Sequence, residues 1–329
     1  MLVLVGFLLF SASCAGPAEA PVSQTPLPAE ASVPTANQTS LLTEALEPTV
    51  SSLEIVPSAG REYREQTSCT VDGVDLIFDL TYPVDLGTEP LPLMVYVHGG
   101  AWTMGDRRGG AGVVFKSALL EAGYIYAAIN YRLAPDYIFP AQIEDVKCAI
   151  RFFRANAEVL GIDPDRMAVM GGSAGGHLVS LLGLTAGQNL WEDAGDYQGV
   201  SSGVAAVVDM FGPTDLRPIA DPRYRGDSEN IFGEAVFSED AMWAISPLAY
   251  VSEDDPPFLI LHGDADQTVF LHHSENLQEA LVNLGVPVEL VIVSGGGHSN
   301  ALFNEGASPD LSELTQILLD FLGTYLGSE

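Results

Sequence analysis

Apolar residues recur along this chain in two rhythms. Residues 74–80, 93–97, 124–129, 167–170, 205–210, 258–261 and 288–293 are short apolar runs with a high share of Val, Ile, Leu and Met, a pattern that predicts buried strands. Residues 113–121, 142–157, 176–184, 274–284 and 311–326 carry apolar positions at helical spacing and predict helices. Near-continuous apolar strands interleaved with helices predict an α/β fold, with a mostly parallel central sheet and helices on both faces. Asp163-Pro164-Asp165 predicts a turn before the 167–170 strand. Residues 216–251 form a connection longer than a minimal crossover and predict a small cap-like insertion. Its Tyr224, Ile231, Phe232, Phe237, Met242 and Trp243 either line an acyl pocket or pack on the sheet.

The N-terminus follows neither rhythm. Residues 2–10 are an apolar run of export-signal length, well short of the ~20 residues that span a bilayer. Phe10-Ser11-Ala12-Ser13-Cys14 is similar to a lipoprotein processing site, which makes Cys14 a candidate for lipidation; cleavage after Ala15 is the alternative. Residues 16–58 are rich in Ala, Pro, Ser, Thr and Glu without periodicity, so they bury too little apolar surface to offset the entropy of ordering. The expected organisation is a leader over 1–15, a disordered tether over 16–58 and a catalytic domain over 59–329. Such a protein is exported, as a cell-envelope lipoprotein or in secreted form. Cys69 and Cys148 are free to pair in an oxidising compartment, although sequence spacing alone does not bring them together.

The charge balance narrows the partners. Thirteen Lys plus Arg against 44 Asp plus Glu leave a net charge of −31 over 329 residues. A field of that sign opposes nucleic acid and anionic membrane surfaces, so the lipid anchor is the one membrane contact expected.

Candidate chemistry lies in the loops that follow the predicted strands. Gly171-Gly172-Ser173-Ala174-Gly175 directly follows the 167–170 run and opens a helix, which places Ser173 on a tight strand-to-helix turn and the Ala174 amide at a helix N-terminus. A serine hydroxyl needs a base, a carboxylate and a second oxyanion donor. After the 93–97 run, His98-Gly99-Gly100-Ala101-Trp102 offers the bare N–H groups of Gly100 and Ala101. After the 258–261 run, His262-Gly263-Asp264-Ala265-Asp266 offers two carboxylates. After the 288–293 run, Ser294-Gly295-Gly296-Gly297-His298 offers a base on a glycine-rich loop.

With Gly105-Asp106-Arg107 and Asn130-Tyr131-Arg132-Leu133-Ala134-Pro135 added, the ordered motifs resemble α/β-hydrolases of the esterase/lipase type, close to the hormone-sensitive-lipase-like and feruloyl-esterase-like branches, over residues 70–325. The resemblance implies a serine carboxylic-ester hydrolase with Ser173 as nucleophile, His298 as base and Asp266 as acid. It implies oxyanion donors at Gly100, Ala101 and Ala174. The resemblance favours Asp266 over Asp264, which fits a turn beside Gly263. Ala101 stands where the family commonly has a third glycine, and its methyl group is expected to disfavour bulky tertiary-alcohol esters. The implied substrates are small-molecule or polysaccharide-linked esters with short acyl, acetyl or feruloyl groups.

The remaining histidines have quieter readings. His98 and His262 end strands and are expected to make structural hydrogen bonds, His177 packs on its helix, and His272 and His273 are exposed at a helix start. No two histidines and a carboxylate stand at ligand spacing, so no metal or cofactor is expected. A peptidase on the same fold and a non-catalytic ligand-binding protein are the competing readings.

Overall fold

The computed structural model describes residues 54–220, 226 and 228–327. The strands are β1 (Glu62–Val71), β2 (Val74–Thr81), β3 (Leu91–Val97), β4 (Ile125–Ile129), β5 (Ile162–Gly172), β6 (Ala206–Met210), β7 (Phe258–Gly263) and β8 (Val288–Val293). They form one sheet in the order β1-β2-β4-β3-β5-β6-β7-β8. β1 and β2 are joined antiparallel at one edge, β2 also runs antiparallel to β4, and every pairing from β4 to β8 is parallel. β4, β6 and β7 are buried along their whole length. Parallel strands covered on both faces need such continuous apolar runs, which is why they stand out in the sequence.

The helices are α1 (Lys116–Glu121), α2 (Ala141–Ala155), α3 (Ala157–Leu160), α4 (Ala174–Leu184), α5 (Glu229–Phe232), α6 (Glu239–Trp243), α7 (His272–Asn283) and α8 (Leu311–Leu326). Two apolar clusters fill the two faces of the sheet. One takes Ile143, Val146 and Ile150 of α2, Leu178 and Leu182 of α4, and Leu277 and Leu281 of α7. The other takes Leu119 of α1 and Leu314, Leu318 and Leu322 of α8.

Several elements depart from the sequence reading. β1 is absent from it, because Glu62, Arg64, Glu65 and Gln66 break the apolar signal of an edge strand whose pairing with β2 is itself irregular. Asp163-Pro164-Asp165 lies inside β5 as a bulge: Leu91 pairs with Ile162 and Leu93 with Met167, so the intervening residues loop out. Asp163 Oδ1 accepts the Asp165 N–H at 3.0 Å, a local turn within the strand. Ile55 falls in the span read as tether, yet it is buried in the core, so the folded domain reaches back past residue 58. In the 216–251 insertion, Ile231, Phe232 and Met242 are buried in the main core, whereas Phe237 is exposed. Tyr224, Cys14, the 1–15 leader and the tether up to residue 53 lie outside the described residues.

Cys69 of β1 and Cys148 of α2 form a disulfide with Cα atoms 6.3 Å apart. The bridge ties the polar edge strand to the helix beneath it. It closes a loop with a sequence separation of 79, which corresponds to about 4 kcal/mol of lost unfolded-state entropy in the chain-entropy account.

Candidate active site

β5 ends in the turn that carries Ser173. The serine adopts φ +56° and ψ −120°, a conformation rarely held by a residue with a side chain, and α4 begins at the next residue. The Ser173 N–H donates to Met210 O at 2.9 Å, which pins the turn to the end of β6. Gly175 has no side chain because a Cβ there would overlap Val97 O at the end of β3. The helix therefore starts directly against the loop that follows β3.

Three loops converge on the serine. Ser173 Oγ lies 3.0 Å from His298 Nε2, and His298 Nδ1 lies 2.6 Å from Asp266 Oδ2. An ionised carboxylate only accepts, so the proton sits on Nδ1 and leaves Nε2 to accept from the serine hydroxyl. Asp266 Oδ1 is occupied by the N–H groups of Thr268 at 2.7 Å and Val269 at 3.0 Å, which aims Oδ2 at the imidazole. Asp266 is buried, and His298 is partly open. Asp264 faces elsewhere: its Oδ1 accepts the Gly295 N–H at 2.7 Å and knits the loop after β7 to the loop after β8. Phe211 packs its ring against His298, with centroids 5.0 Å apart.

The loop after β3 borders the same serine. A Cβ on Gly99 would stand 2.6 Å from Gly172 O and 3.4 Å from Ser173 Cβ, so only glycine permits this approach. Gly100, Ala101 and Ala174 have N–H groups that donate to no acceptor among the described residues. Ala101 and Trp102 both take positive φ, at 51° and 59°. The sequence reading missed this pair of strained residues, since nothing in Ala-Trp signals a left-handed backbone.

The other histidines divide by burial. His98 stacks on Tyr131 with centroids 4.3 Å apart, and its Nδ1 lies 2.7 Å from Gly99 O. His262 is buried; Nε2 donates to Val269 O at 2.8 Å and Nδ1 accepts from Ser274 Oγ at 2.7 Å, bracing the loop that carries Asp266. His177 is also buried and donates from Nε2 to Ile245 O at 2.8 Å. His272 is exposed, as expected. His273 is not: its Nδ1 accepts the N–H groups of Thr214 at 3.2 Å and Asp215 at 3.4 Å, because the turn leaving β6 closes over the start of α7. Burial pushes the His273 imidazole down to about 4. Among the described residues no three His, Cys, Asp or Glu side chains are grouped to hold a metal ion.

Asp209 was hidden in the apolar run of β6. Its Oδ1 accepts the Gly212 N–H at 2.9 Å and its Oδ2 accepts from Ser180 Oγ at 3.2 Å, behind the serine turn. Burial, the strongest influence, pushes its carboxyl from the ordinary 3.8 up to about 7 against those two hydrogen bonds. A raised folded-state value favours the fold most below the unfolded value, and that stability is lost as pH rises through about 7. Asp209→Asn preserves the shape and does not ionise. Its stability should therefore gain on wild type between pH 5 and pH 8, by roughly 3 kcal/mol at about 1.4 kcal/mol per pH unit up to about pH 7, read as a rise in melting temperature relative to wild type. Parallel melting curves across that range would contradict the assignment.

A serine on a strained strand-to-helix turn, linked through an imidazole to a buried carboxylate at the C-terminal edge of a mostly parallel sheet, defines the α/β-hydrolase class. Within that class the chain belongs to the BD-FAE family, whose model matches residues 78–281. It is 33% identical to esterase LipC of Mycobacterium tuberculosis over 210 residues, 62% of this chain and 52% of that protein. Its fold is similar to a truncated carbohydrate esterase from gut microbiota, with TM-score 0.69, 28% identity, and coverage of 83% of this chain and all of that one (100%). It is also similar to the propionate-bound esterase Est2 of Thermogutta terrifontis, with TM-score 0.66, 27% identity, and coverage of 80% of this chain and 93% of that chain. A structure of esterase 2 from the same species is phosphorylated by paraoxon. The chain spans about half the length of curated relatives such as LipC.

Proposed function

We propose that this chain hydrolyses carboxylic esters through an acyl-enzyme formed on Ser173. The observation that carries the reading is the line from Ser173 Oγ to His298 Nε2 at 3.0 Å and from His298 Nδ1 to Asp266 at 2.6 Å. In this reaction His298 Nε2 takes the hydroxyl proton as Oγ attacks the ester carbonyl carbon. The carbonyl oxygen becomes an oxyanion and accepts N–H bonds from Gly100, Ala101 and Ala174. Asp266 stabilises the imidazolium. Collapse breaks the C–O bond, and the departing alkoxide takes the proton from Nε2. Water then repeats the sequence on the acyl-serine, loses its proton to His298 and releases the carboxylic acid.

Short acyl esters, including acetyl or feruloyl groups on polysaccharide, are the proposed substrates. The propionate held by Est2 and the carbohydrate esterase among the similar structures support this choice. The test is kcat/KM across p-nitrophenyl acetate, butyrate and decanoate, tert-butyl acetate, acetylated xylan, methyl ferulate and alanine p-nitroanilide. The highest values are expected for acetate or butyrate, with tert-butyl acetate poor because of the Ala101 methyl group. Turnover confined to emulsified long-chain lipid, or to the anilide, would overturn the assignment.

We further propose export. The Cys69–Cys148 disulfide supports an oxidising compartment, since such bridges are rare where cytosolic thiols are kept reduced. If Cys14 is the lipid anchor, Cys14→Ser moves esterase activity from the membrane fraction to the soluble exported fraction without altering turnover. Wild-type activity wholly soluble outside the cell instead selects ordinary signal cleavage.

A further inference from the structure

We infer that His177 is a positioning residue for ester hydrolysis, holding the strained Ala101–Trp102 segment beside Ser173 and tying it to the 216–251 insertion. The inference rests on the ester-hydrolase reading above. His177 lies one turn beyond Ser173 on α4 and is fully buried. Its ring meets Trp102 edge to face, with centroids 5.2 Å apart at 90°. Trp102 also meets Phe232 of the insertion edge to face, with centroids 5.1 Å apart. His177 Nε2–H donates to Ile245 O, also in the insertion, at 2.8 Å. One imidazole thus touches the serine helix, the loop after β3 and the insertion.

Two features set it apart from a core filler. His177 Nδ1 finds no hydrogen-bond partner among the described residues, and a buried unpartnered polar atom costs about 1–3 kcal/mol. Leucine of similar volume would avoid that cost, so packing alone does not account for histidine here. The second feature is the backbone strain it faces. Ala101 and Trp102 at φ 51° and 59° each cost roughly 1 kcal/mol or more, and such strain persists only where surrounding contacts over-determine it. The contacts of the Trp102 ring with His177 and Phe232 supply that constraint, with Trp102 O accepting the Ala134 N–H at 2.9 Å. If these contacts loosen, the segment relaxes toward negative φ and swings the Ala101 N–H away from the oxyanion. Burial pushes the imidazole down to about 4, so near neutral pH His177 is uncharged with its proton fixed on Nε2.

The test compares His177→Leu and His177→Gln, each alone and combined with Ala101→Gly, on p-nitrophenyl butyrate with circular dichroism as a fold check. Removing one oxyanion donor lowers kcat by about 100- to 1,000-fold, so His177→Leu, which misaligns one donor, should lose at least about tenfold in kcat with KM within about threefold of wild type. His177→Gln keeps a donor for Ile245 O but loses the ring that meets Trp102, so its kcat should fall between those of His177→Leu and wild type. Glycine at 101 removes the left-handed penalty and should restore at least part of the kcat lost in His177→Leu, a rescue that a purely structural role would not give. His177→Met serves where the leucine chain does not fold. A folded His177→Leu or His177→Met chain with wild-type kcat, or a loss that Ala101→Gly does not relieve, would overturn the inference. Wild type that neither turns over the ester nor takes up a fluorophosphonate would instead overturn the ester-hydrolase reading on which it rests.

Discussion

Ser173→Ala is expected to lower kcat/KM on p-nitrophenyl acetate by about 10⁴- to 10⁶-fold while the chain stays folded. The size follows from what is removed. The oxyanion donors and substrate contacts remain, but covalent catalysis is lost, and residual activity reflects binding and electrostatics alone. The fold should tolerate the change because alanine keeps the Cβ at φ +56° and the Ser173 N–H bond to Met210 O does not involve the side chain. Residual turnover within tenfold of wild type, measured on protein free of contaminating esterase, would place the nucleophile elsewhere.

Asp266→Asn is expected to cost about 10⁴-fold in kcat, nearly as much, without removing any atom that holds the loop. Asp266 Oδ1 accepts the Thr268 and Val269 N–H groups, so an asparagine keeps its carbonyl oxygen there and turns its NH2 toward His298 Nδ1. Two donors cannot share that contact. The imidazole then protonates on Nε2, the nitrogen 3.0 Å from Ser173 Oγ, and can no longer take the hydroxyl proton. Asp264→Asn is the control. Its carboxylate caps the Gly295 N–H, and the change should alter kcat by less than about tenfold. Equal losses at the two positions would mean that the drop reports damage to the loop and not to proton transfer.

The parts legible in the sequence were those with local physical causes. Buried parallel strands such as β4, β6 and β7 need continuous apolar runs, and a serine on a tight turn needs small neighbours, so both leave marks in consecutive residues. β1 left none, because an edge strand with a polar outer face and an irregular register obeys no simple period. Residues 163–165 read as a turn and form one, but within β5, since a bulge and a turn use the same Asp-Pro-Asp chemistry. His273 read as exposed because nothing near it in sequence announces the Thr214–Asp215 turn that covers it. Asp209 carried a signal that went unused: a lone carboxylate inside an apolar strand has to find buried partners, here Gly212 and Ser180. Ala101 and Trp102 take positive φ where Trp102 meets the rings of His177 and Phe232, contacts distant in sequence that no local pattern encodes.

The central claim is that Ser173 is the atom donor for the covalent intermediate, and the most direct measurement is covalent capture. Wild-type protein treated with a fluorophosphonate and digested should yield one adduct, on the peptide containing Ser173, in a 1:1 ratio that tracks loss of p-nitrophenyl acetate turnover; Ser173→Ala should yield none. An adduct on a different residue, or full inhibition with Ser173 unmodified, would contradict the account.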